Sequence, residues 1–210
     1  SYGADIVPST PGHNDPAFQE YLMKNGLTVN GYYLVVCRFV PENNIETILR
    51  EFLHSDTHRK LAIIMTQNPQ YYNELNKKLH FEDDPRICFL GTVYEQNLLR
   101  KIRKYAYAYL HGHEVGGTNP SLLEGLGATK VNLLLNVPFN EEVALDSALY
   151  WSKEPGNLAA LLHKVDRLTE AERDAMGKKA QVRIRNSYSW PFIADEYERL
   201  WSPAAKKERN

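Results

Sequence analysis

The stretch that decides the fold is residues 106–124, which read AYAYLHGHEVGGTNPSLLE. It opens with a short, nearly continuous apolar run over residues 106–111, typical of a strand buried on both faces of a parallel sheet. Three glycines follow, and then Thr118 or Asn119 can cap a helix that has Pro120 in its first turn. A strand, a tight loop and a capped helix in this order predict a βα unit.

Outward from this unit, five more apolar runs predict further strands, at residues 32–37, 61–65, 87–90, 131–135 and 148–151. Between them, apolar residues recur at helical spacing, as at Ile45, Ile48 and Phe52. Strands that alternate with helices need right-handed crossovers and give an open, doubly wound parallel sheet. We therefore predict a Rossmann-like α/β domain over residues 17–187, with extra C-terminal helices.

The segments that flank this domain carry their own signals. Residues 1–16 are rich in Gly, Pro and Asp without a period, which predicts an interdomain linker or edge segment. The chain does not begin with methionine, so we expect a fragment of a longer protein. Thr169 and Glu172 form a capping-box pattern at the start of a long helix. The remaining segments are a last helix and a frayed, charged tail, predicted at residues 188–203 and 204–210.

The composition excludes several classes of function. The 210 residues include 25 Lys and Arg against 26 Asp and Glu, whereas a protein held to nucleic acid through phosphate charge is usually basic. Hydrophobic residues make up 43%, but no apolar run approaches the roughly 20 residues that a membrane span needs. Cys37 and Cys88 lie inside apolar runs, which indicates buried thiols rather than a disulfide framework. We expect a globular cytoplasmic protein without a nucleic-acid partner.

The glycine-rich loop after residue 111 is the first candidate ligand site, since ligands of doubly wound sheets bind at the carboxyl ends of the strands. Gly112, Gly116 and Gly117 let the backbone approach a ligand. Backbone N–H groups at the start of the next helix would point at an anion. The alternative is a glycine-rich turn followed by an ordinary capping box of Ser121 and Glu124.

Arg38 marks the second candidate strand end, because it follows the strand predicted at residues 32–37. A guanidinium group matches the geometry of phosphate oxygens, so Arg38 could meet a phosphate bound near Gly117. The alternative is a surface ion pair between Arg38 and Glu42. The local pattern leaves both interpretations open.

Taken together, the two strand ends resemble the donor-binding half of the family-4 glycosyltransferases, which have the GT-B fold. Four stretches carry the resemblance, in the family's order: CRF at 37–39 through NN at 43–44, FLGTV at 89–93, GGTNPSLLEG at 116–125 and YSW at 188–190. The match covers nearly the whole chain but only the second half of a full enzyme. The glycine stretch and the loop PENN at 41–44 are similar to a bacterial subgroup that includes rhamnosyltransferases of surface-polysaccharide assembly, which use dTDP-L-rhamnose.

The resemblance implies a function and its partners. The chain would be the donor-binding half of a retaining glycosyltransferase, which moves a sugar from a nucleoside-diphosphate sugar to a saccharide or lipid-linked saccharide. No metal or other cofactor is needed in that scheme. An N-terminal domain absent from this chain would bind the acceptor, so the chain alone would be inactive. The enzyme would work in the cytoplasm or at the inner face of the membrane.

The resemblance also implies roles for individual residues. Arg38 would contact the diphosphate and Glu124 would accept hydrogen bonds from ribose hydroxyls, which makes these two the expected catalytic residues. The other implied binding residues act largely through the backbone: Gly117, Thr118, Asn119 and Ser121 at the diphosphate and sugar, and Phe89, Gly91 and Thr92 at the base. Asn43, His113 and Gly116 complete the expected binding set.

Two positions depart from the family's pattern. Asn43 stands where the family has a phosphate-binding lysine, so the pocket lacks one positive charge, which His111 or His113 would restore. Gly116 stands where the family has a glutamate that meets the donor sugar. That change fits a different sugar, such as a deoxysugar, or a compensating approach by Glu114.

Two other functions stay open at this point. One is a non-catalytic Rossmann-like module that binds a nucleotide or another anion through the same loop. The other is a GT-B enzyme with phosphorylase or epimerase chemistry. Two acidic segments also stand out: residues 82–85 precede a strand and predict a solvated turn, and residues 140–143 either face the cleft or start an ordinary helix.

Overall fold

The computed structural model describes residues 3–6, 14–66 and 68–201. Within these ranges six strands form one sheet: β1 (Tyr32–Arg38), β2 (Lys60–Thr66), β3 (Ile87–Gly91), β4 (Ala108–His111), β5 (Asn132–Leu135) and β6 (Leu149–Trp151). The strand order is β3-β2-β1-β4-β5-β6, and every neighbouring pair is parallel. Each strand begins and ends within two residues of a predicted run. The predicted Rossmann-like α/β fold is confirmed.

Helices connect the strands and cover the sheet. In chain order they are α1 (Pro16–Lys24), α2 (Ile45–Leu53), α3 (Pro69–Leu79), α4 (Gln96–Lys104), α5 (Pro120–Ala128), α6 (Pro138–Ala144), α7 (Asn157–Val165), α8 (Glu170–Ser187) and α9 (Trp190–Trp201). Short 3₁₀ turns lie at Pro41–Asn43, Phe81–Asp83 and Leu145–Ser147. None of the helices in the described ranges combines the length and the apolarity that a membrane crossing requires.

The two faces of the sheet bury alternate residues of each strand. In β1, Tyr33 and Val35 join the core under α2, α3 and α7, whereas Tyr32 and Leu34 join the core under α1 and α4. Such a strand must be apolar at successive positions, because neither face meets water. This burial is the physical reason for the continuous apolar runs in the sequence.

The predicted capping box starts α8. The Thr169 hydroxyl accepts a hydrogen bond from the Glu172 N–H at 3.2 Å, and the Glu172 carboxylate accepts one from the Thr169 N–H at 2.7 Å. These bonds satisfy two N–H groups that a helix start leaves without partners. The prediction of a long helix from this point is confirmed.

The N-terminal residues that the structure describes pack against the junction of α8 and α9. The Ala4 N–H donates to the Tyr188 carbonyl at 2.8 Å, and the Ala4 side chain is buried. The rest of the segment before residue 14 and the predicted tail at 204–210 lie outside the described residues, so the linker and tail predictions stay predictions.

Residues 82–85, predicted as a solvated turn, do form a turn. Its side chains are bound rather than merely solvated: the Glu82 carboxylate accepts hydrogen bonds from the Tyr72 hydroxyl at 2.7 Å and from Asn76 Nδ2 at 2.6 Å.

The topology fixes where a ligand site can form. The strand order reverses between β1 and β4, which pair in parallel with Tyr33 opposite Ala108. At such a switch point the connections leave in opposite directions and open a crevice at the carboxyl ends of the strands. The loops after Arg38 and after His111, which the sequence singled out, both leave the sheet at this crevice.

Candidate ligand-binding site

A cavity of about 390 Å³ lies at the carboxyl ends of β1 and β4, where the strand order reverses. Seven of the residues predicted to bind a donor line it: Arg38, Asn43, Thr92, His113, Asn119, Ser121 and Glu124. Ile64, Val93 and Leu99 add an apolar wall. The cavity therefore offers both charged groups and an apolar surface to one ligand.

The other predicted residues lie elsewhere. Gly116, Gly117 and Thr118 do not line this cavity, although they belong to the loop that follows β4. Phe89 and Gly91 line a second cavity, of about 480 Å³, beside α3. The Phe89 ring packs against the rings of three neighbours, Tyr72 at 5.0 Å, Phe81 at 5.3 Å and Phe39 at 6.1 Å between centroids. The side chain of Phe89 thus serves the aromatic core.

Arg38 ends β1 with an exposed side chain that lines the cavity at the switch point. Its guanidinium makes no hydrogen bond or ion pair with any residue that the structure describes, so the alternative pair with Glu42 does not form. Its main chain is fixed, because the Arg38 carbonyl accepts a hydrogen bond from Asn43 Nδ2 at 2.7 Å. The arrangement holds the backbone and leaves the charge available to an anion.

Side chains clasp the loop after β1 to the loop after β4. Asn43 Oδ1 lies 2.9 Å from His113 Nδ1, and Asn44 Nδ2 donates to the Gly112 carbonyl at 2.8 Å. Asn44 has a φ of 53°, a left-handed conformation that asparagine tolerates better than most residues. Asn43, which replaces the family's lysine, is buried in this clasp, so its role in the structure is to position the two loops.

Asn119 is the N-cap of α5. Its side chain accepts a hydrogen bond from the Ser121 N–H at 2.9 Å, and its carbonyl accepts from the N–H groups of Leu122 and Leu123. The Ser121 amide, predicted to meet a diphosphate, is therefore already used, and the alternative capping box of Ser121 and Glu124 does not form.

The glycine loop itself keeps free donors. The N–H groups of Gly117 and Thr118 have no hydrogen-bond partner among residues 3–6, 14–66 and 68–201. Gly116 has a φ of 105°, which only glycine adopts readily, and the loop turns there. These two amides are donors that the loop can offer to an anion.

Beneath α5, a chain of hydrogen bonds fixes the proton of His111. The Ser121 hydroxyl donates to the Val36 carbonyl at 3.2 Å, so the Tyr109 hydroxyl, 2.9 Å away, must donate to Ser121. His111 Nδ1, 3.1 Å from the Tyr109 hydroxyl, must then be the protonated nitrogen. His111 Nε2 has no partner among the described residues.

The two histidines do not supply the positive charge that Asn43 removes. Burial lowers the pKa of His111 from 6.5 to about 3, and burial also lowers the pKa of His113. Both rings are therefore neutral near pH 7, and the expectation that they compensate for a lysine is wrong. The cations that line the cavity are Arg38 and Arg103.

The lowered pKa of His111 predicts acid sensitivity. Below about pH 6.5 the unfolded chain binds a proton at His111 that the native chain does not bind until about pH 3. The free energy of unfolding should therefore fall with falling pH between these values, by up to about 1.4 kcal/mol per pH unit from this residue. Above pH 6.5 the contribution of His111 is constant.

Denaturant unfolding between about pH 6 and pH 4 tests this prediction. The slope of unfolding free energy against pH should be shallower for His111→Gln than for the wild type, while the exposed His58→Gln variant should follow the wild type. Parallel slopes for wild type and His111→Gln would contradict the prediction.

Arg103 is a site residue that sequence reasoning missed. It lies on α4, its side chain is only 3% exposed, and its guanidinium lies 2.7 Å from Glu124 Oε2. Glu124, 43% exposed, thus lines the cavity with one oxygen already bound by a cation. In the surrounding LLRKIRK sequence, Arg103 lies four residues after Leu99, and this helical spacing on the buried face is the signal that could have found it.

Contacts in the structure answer two further expectations, which concerned Glu114 and the segment 140–143. Glu114 forms an ion pair with Lys153 and does not line the cavity, so it does not replace the glutamate missing at Gly116. Asn140 lies in α6 with its side chain buried, and its Nδ2 donates to the carbonyls of Leu135 at 2.9 Å and His113 at 3.2 Å. The segment 140–143 belongs to a helix whose asparagine anchors the loop after β4.

Groups for metal or nucleophilic chemistry are few among the described residues. Within residues 3–6, 14–66 and 68–201, no three His, Cys, Asp or Glu side chains come together in a way that could hold a metal ion. Cys37 lines the cavity as a free thiol, and burial raises its pKa to about 12. A thiol with that pKa is protonated at neutral pH and is a poor nucleophile.

Comparison with known proteins identifies the fold. No protein-family model matches the chain, and no curated protein sequence does. Among solved structures, it is similar to sucrose-phosphate synthase from Thermosynechococcus elongatus, with a TM-score of 0.75 and 14% identity over 95% of this chain and 50% of the other. It is also similar to HepE of Anabaena in complex with UDP and glucose, with a TM-score of 0.76 and 12% identity over 90% of this chain and 53% of the other.

A third similar structure has the same extent as this chain. The C-terminal domain of LpcC, a glycosyl transferase group 1 family protein from Francisella tularensis, matches with a TM-score of 0.69 and 13% identity over 90% of this chain and 100% of the other. The chain spans about half the length of the first two proteins. At these identities the likeness establishes the fold, which is the Rossmann-like fold of GT-B glycosyltransferases.

Proposed function

We propose that the chain is the nucleotide-sugar-binding half of a glycosyltransferase. The observation that carries the proposal is the unpaired guanidinium of Arg38 at the switch point of the sheet, in one cavity with the carboxylate of Glu124. A cation suits a diphosphate, and a carboxylate suits hydroxyl groups. A nucleoside-diphosphate sugar carries both, and the similar HepE was solved with UDP and glucose.

In this proposal the chain stabilises the departing nucleoside diphosphate. As the bond between the sugar and the diphosphate breaks, negative charge grows on the diphosphate oxygens. Arg38 supplies a charge that no described residue neutralises, and the amides of Gly117 and Thr118, which have no partner among the described residues, would supply further donors. Donors held in place before the reaction lower its barrier without a reorganisation cost at that moment.

The finer part of the proposal follows the family resemblance. The sugar would be L-rhamnose carried by dTDP, transfer would retain the configuration, and the product would be a bacterial surface polysaccharide. The acceptor, a saccharide or a lipid-linked saccharide, would be bound by a second domain, without which the chain would not turn over. We propose that no metal takes part and that the enzyme works in the cytoplasm or at the inner face of the membrane.

A second candidate is a nucleotide-binding module without catalysis. Three observations favour it. Asn43, which stands in place of a phosphate-binding lysine, is held by hydrogen bonds to Arg38 and His113. The histidines are neutral, and the Ser121 amide already donates to Asn119. Each of these features lowers the number of donors that a diphosphate can reach. A site whose described residues offer one free cation can still bind a nucleotide and yet stabilise a leaving group poorly.

Calorimetric titration of the chain with dTDP, UDP, GDP and inorganic pyrophosphate tests the proposed function. We expect one nucleotide to bind at least about tenfold more tightly than pyrophosphate, because the apolar wall and Glu124 add to the diphosphate contacts. A preference for dTDP would support the rhamnosyltransferase proposal. Equal binding of pyrophosphate and all nucleotides would favour a simple anion site, and no binding of any of them would contradict the proposal.

A further inference from the structure

We infer that His111 binds the ligand by accepting, at Nε2, a hydrogen bond from an uncharged O–H or N–H group, and that Tyr109 holds the ring in the tautomer that allows this. The inference rests on the proposed function, because the ligand concerned is the proposed nucleoside-diphosphate sugar. It adds His111 as a binding residue and Tyr109 as a positioning residue, which acts only through His111.

His111 lies on the face of the sheet that the cavity occupies. Side chains alternate along a strand, so His111 points to the same face as Tyr109, which belongs to the core under α1 and α4. Ile64 belongs to the same core and lines the cavity together with His111. His111 is only 4% exposed, so its ring is enclosed by protein beside the cavity.

A row of hydrogen bonds fixes the proton on the His111 ring. Arg103 can only donate, so its terminal nitrogen donates to the Ser121 hydroxyl oxygen, 3.3 Å away. The Ser121 hydroxyl gives its own proton to the Val36 carbonyl and accepts a second hydrogen bond from the Tyr109 hydroxyl. The Tyr109 oxygen is then the acceptor for the N–H at His111 Nδ1. This row leaves the other ring nitrogen without a proton.

His111 Nε2 is consequently a buried acceptor in need of a donor. It has no hydrogen-bond partner among the residues that the structure describes. Leaving a buried acceptor without a partner costs about 1–3 kcal/mol, so such a group beside a cavity points to a donor that comes from the cavity. Because burial lowers the pKa of His111 to about 3, the ring is neutral near pH 7 and Nε2 keeps its lone pair.

A lone pair on a neutral ring determines which part of the proposed donor it can bind. The diphosphate of a nucleotide sugar carries no proton at neutral pH, so its oxygens only accept hydrogen bonds and cannot pair with Nε2. Hydroxyl groups and the N–H of a base can donate. The diphosphate therefore belongs at the charge of Arg38, and an uncharged part of the ligand belongs at His111.

His111→Asn separates ligand binding from a structural role. The asparagine amide can still donate to Tyr109 as Nδ1 does, but the side chain ends before the position of Nε2. We expect this variant to bind UDP or dTDP, whichever the wild type binds more tightly, about tenfold more weakly. Binding of inorganic pyrophosphate should stay as in the wild type. A loss seen with the nucleoside diphosphate assigns the donor group to the nucleoside, and a loss seen only with the corresponding nucleoside-diphosphate glucose assigns it to the sugar.

Nitrogen-15 NMR of the histidine-labelled chain reads the tautomer directly. In the wild type His111 should carry its proton on Nδ1, and the Nε2 resonance should shift when the nucleotide is added. Tyr109→Phe keeps the ring but removes the acceptor for Nδ1, so the proton can move to Nε2. Nucleotide affinity should then fall, although Tyr109 does not line the cavity. This variant also tests the inference if His111→Asn does not fold.

The outcomes that would overturn the inference are distinct from a failure of the proposed function. His58→Asn changes an exposed histidine and should bind every ligand as the wild type does. If His111→Asn binds both kinds of nucleotide as tightly as His58→Asn does, Nε2 meets only water and the inference is wrong. It is also wrong if the wild type carries the proton on Nε2, or if His111→Asn loses pyrophosphate binding equally. A wild type that binds none of these ligands would overturn the proposed function together with the inference.

Discussion

Arg38→Ala is expected to weaken binding of nucleoside diphosphates by about 10- to 100-fold, the effect of losing one or two charge-assisted hydrogen bonds. The expectation is large because the cavity has little other positive charge for an anion. Arg103 is paired with Glu124, and burial keeps His111 and His113 neutral. The fold should be unaffected, since the Arg38 side chain contacts no described residue through a hydrogen bond or ion pair.

Two variants show which property of Arg38 matters: the charge at this position, the planar shape of the guanidinium, or merely the net charge of the chain. Arg38→Lys keeps the charge but loses the planar fork, so it should recover only part of the affinity. Arg185→Ala removes one charge from α8, outside the cavity, and should bind as the wild type does. If Arg38→Ala binds nucleotides as tightly as Arg185→Ala does, the diphosphate does not lie at the end of β1.

Gly112→Ala should both destabilise the chain and impair binding. A Cβ atom at residue 112 would lie 2.3 Å from the Asn43 carbonyl oxygen and 3.1 Å from the Ile48 side chain. Backbone must shift to admit it, and overpacking of this kind costs about 1–3 kcal/mol. The shift would open the clasp between the loops after β1 and β4, because the Gly112 carbonyl accepts the hydrogen bond from Asn44. Nucleotide affinity should fall as well, because the two loops would lose their relative position.

Gly117→Ala is the matched control for this prediction. A Cβ atom there would meet nothing within 4 Å, and the substitution keeps the backbone N–H that we propose as an anion donor. Its unfolding free energy should stay within about 0.5 kcal/mol of the wild type. Denaturant unfolding and nucleotide titration of both variants provide the comparison. Equal stability of Gly112→Ala and Gly117→Ala would show that the two loops do not depend on their close approach.

The fold was predictable because burial on both faces leaves a direct mark on a strand. Each strand needs apolar residues at successive positions, and the six runs found in the sequence became the six strands of the sheet. Caps are equally local signals, since Thr169 and Glu172 or Asn119 and Ser121 satisfy each other within three residues. The switch point between β1 and β4 is not such a local signal, because alternation of strands and helices does not give the strand order.

The details of the site were not predictable in the same way, because they depend on contacts between distant segments. Asn43 is bound by His113, 70 residues away, and the pKa of His111 is set by its burial. Arg103 is recognisable only once α4 and α5 lie side by side and bring it to Glu124. The helical spacing places Arg103 on the same face as Leu99, but nothing within α4 shows that this face meets Glu124 of α5.

The location of the diphosphate is the central claim, and a crystal structure of the chain with bound dTDP or UDP tests it most directly. We predict that the diphosphate contacts Arg38 in the cavity and reaches the amides of Gly117 and Thr118 in the adjoining loop, which does not line the cavity, and that the ribose or deoxyribose contacts Glu124. A nucleotide bound instead in the second cavity, between Tyr72 and Phe89, would contradict the account. So would a diphosphate in the switch-point cavity that leaves Arg38 without a contact.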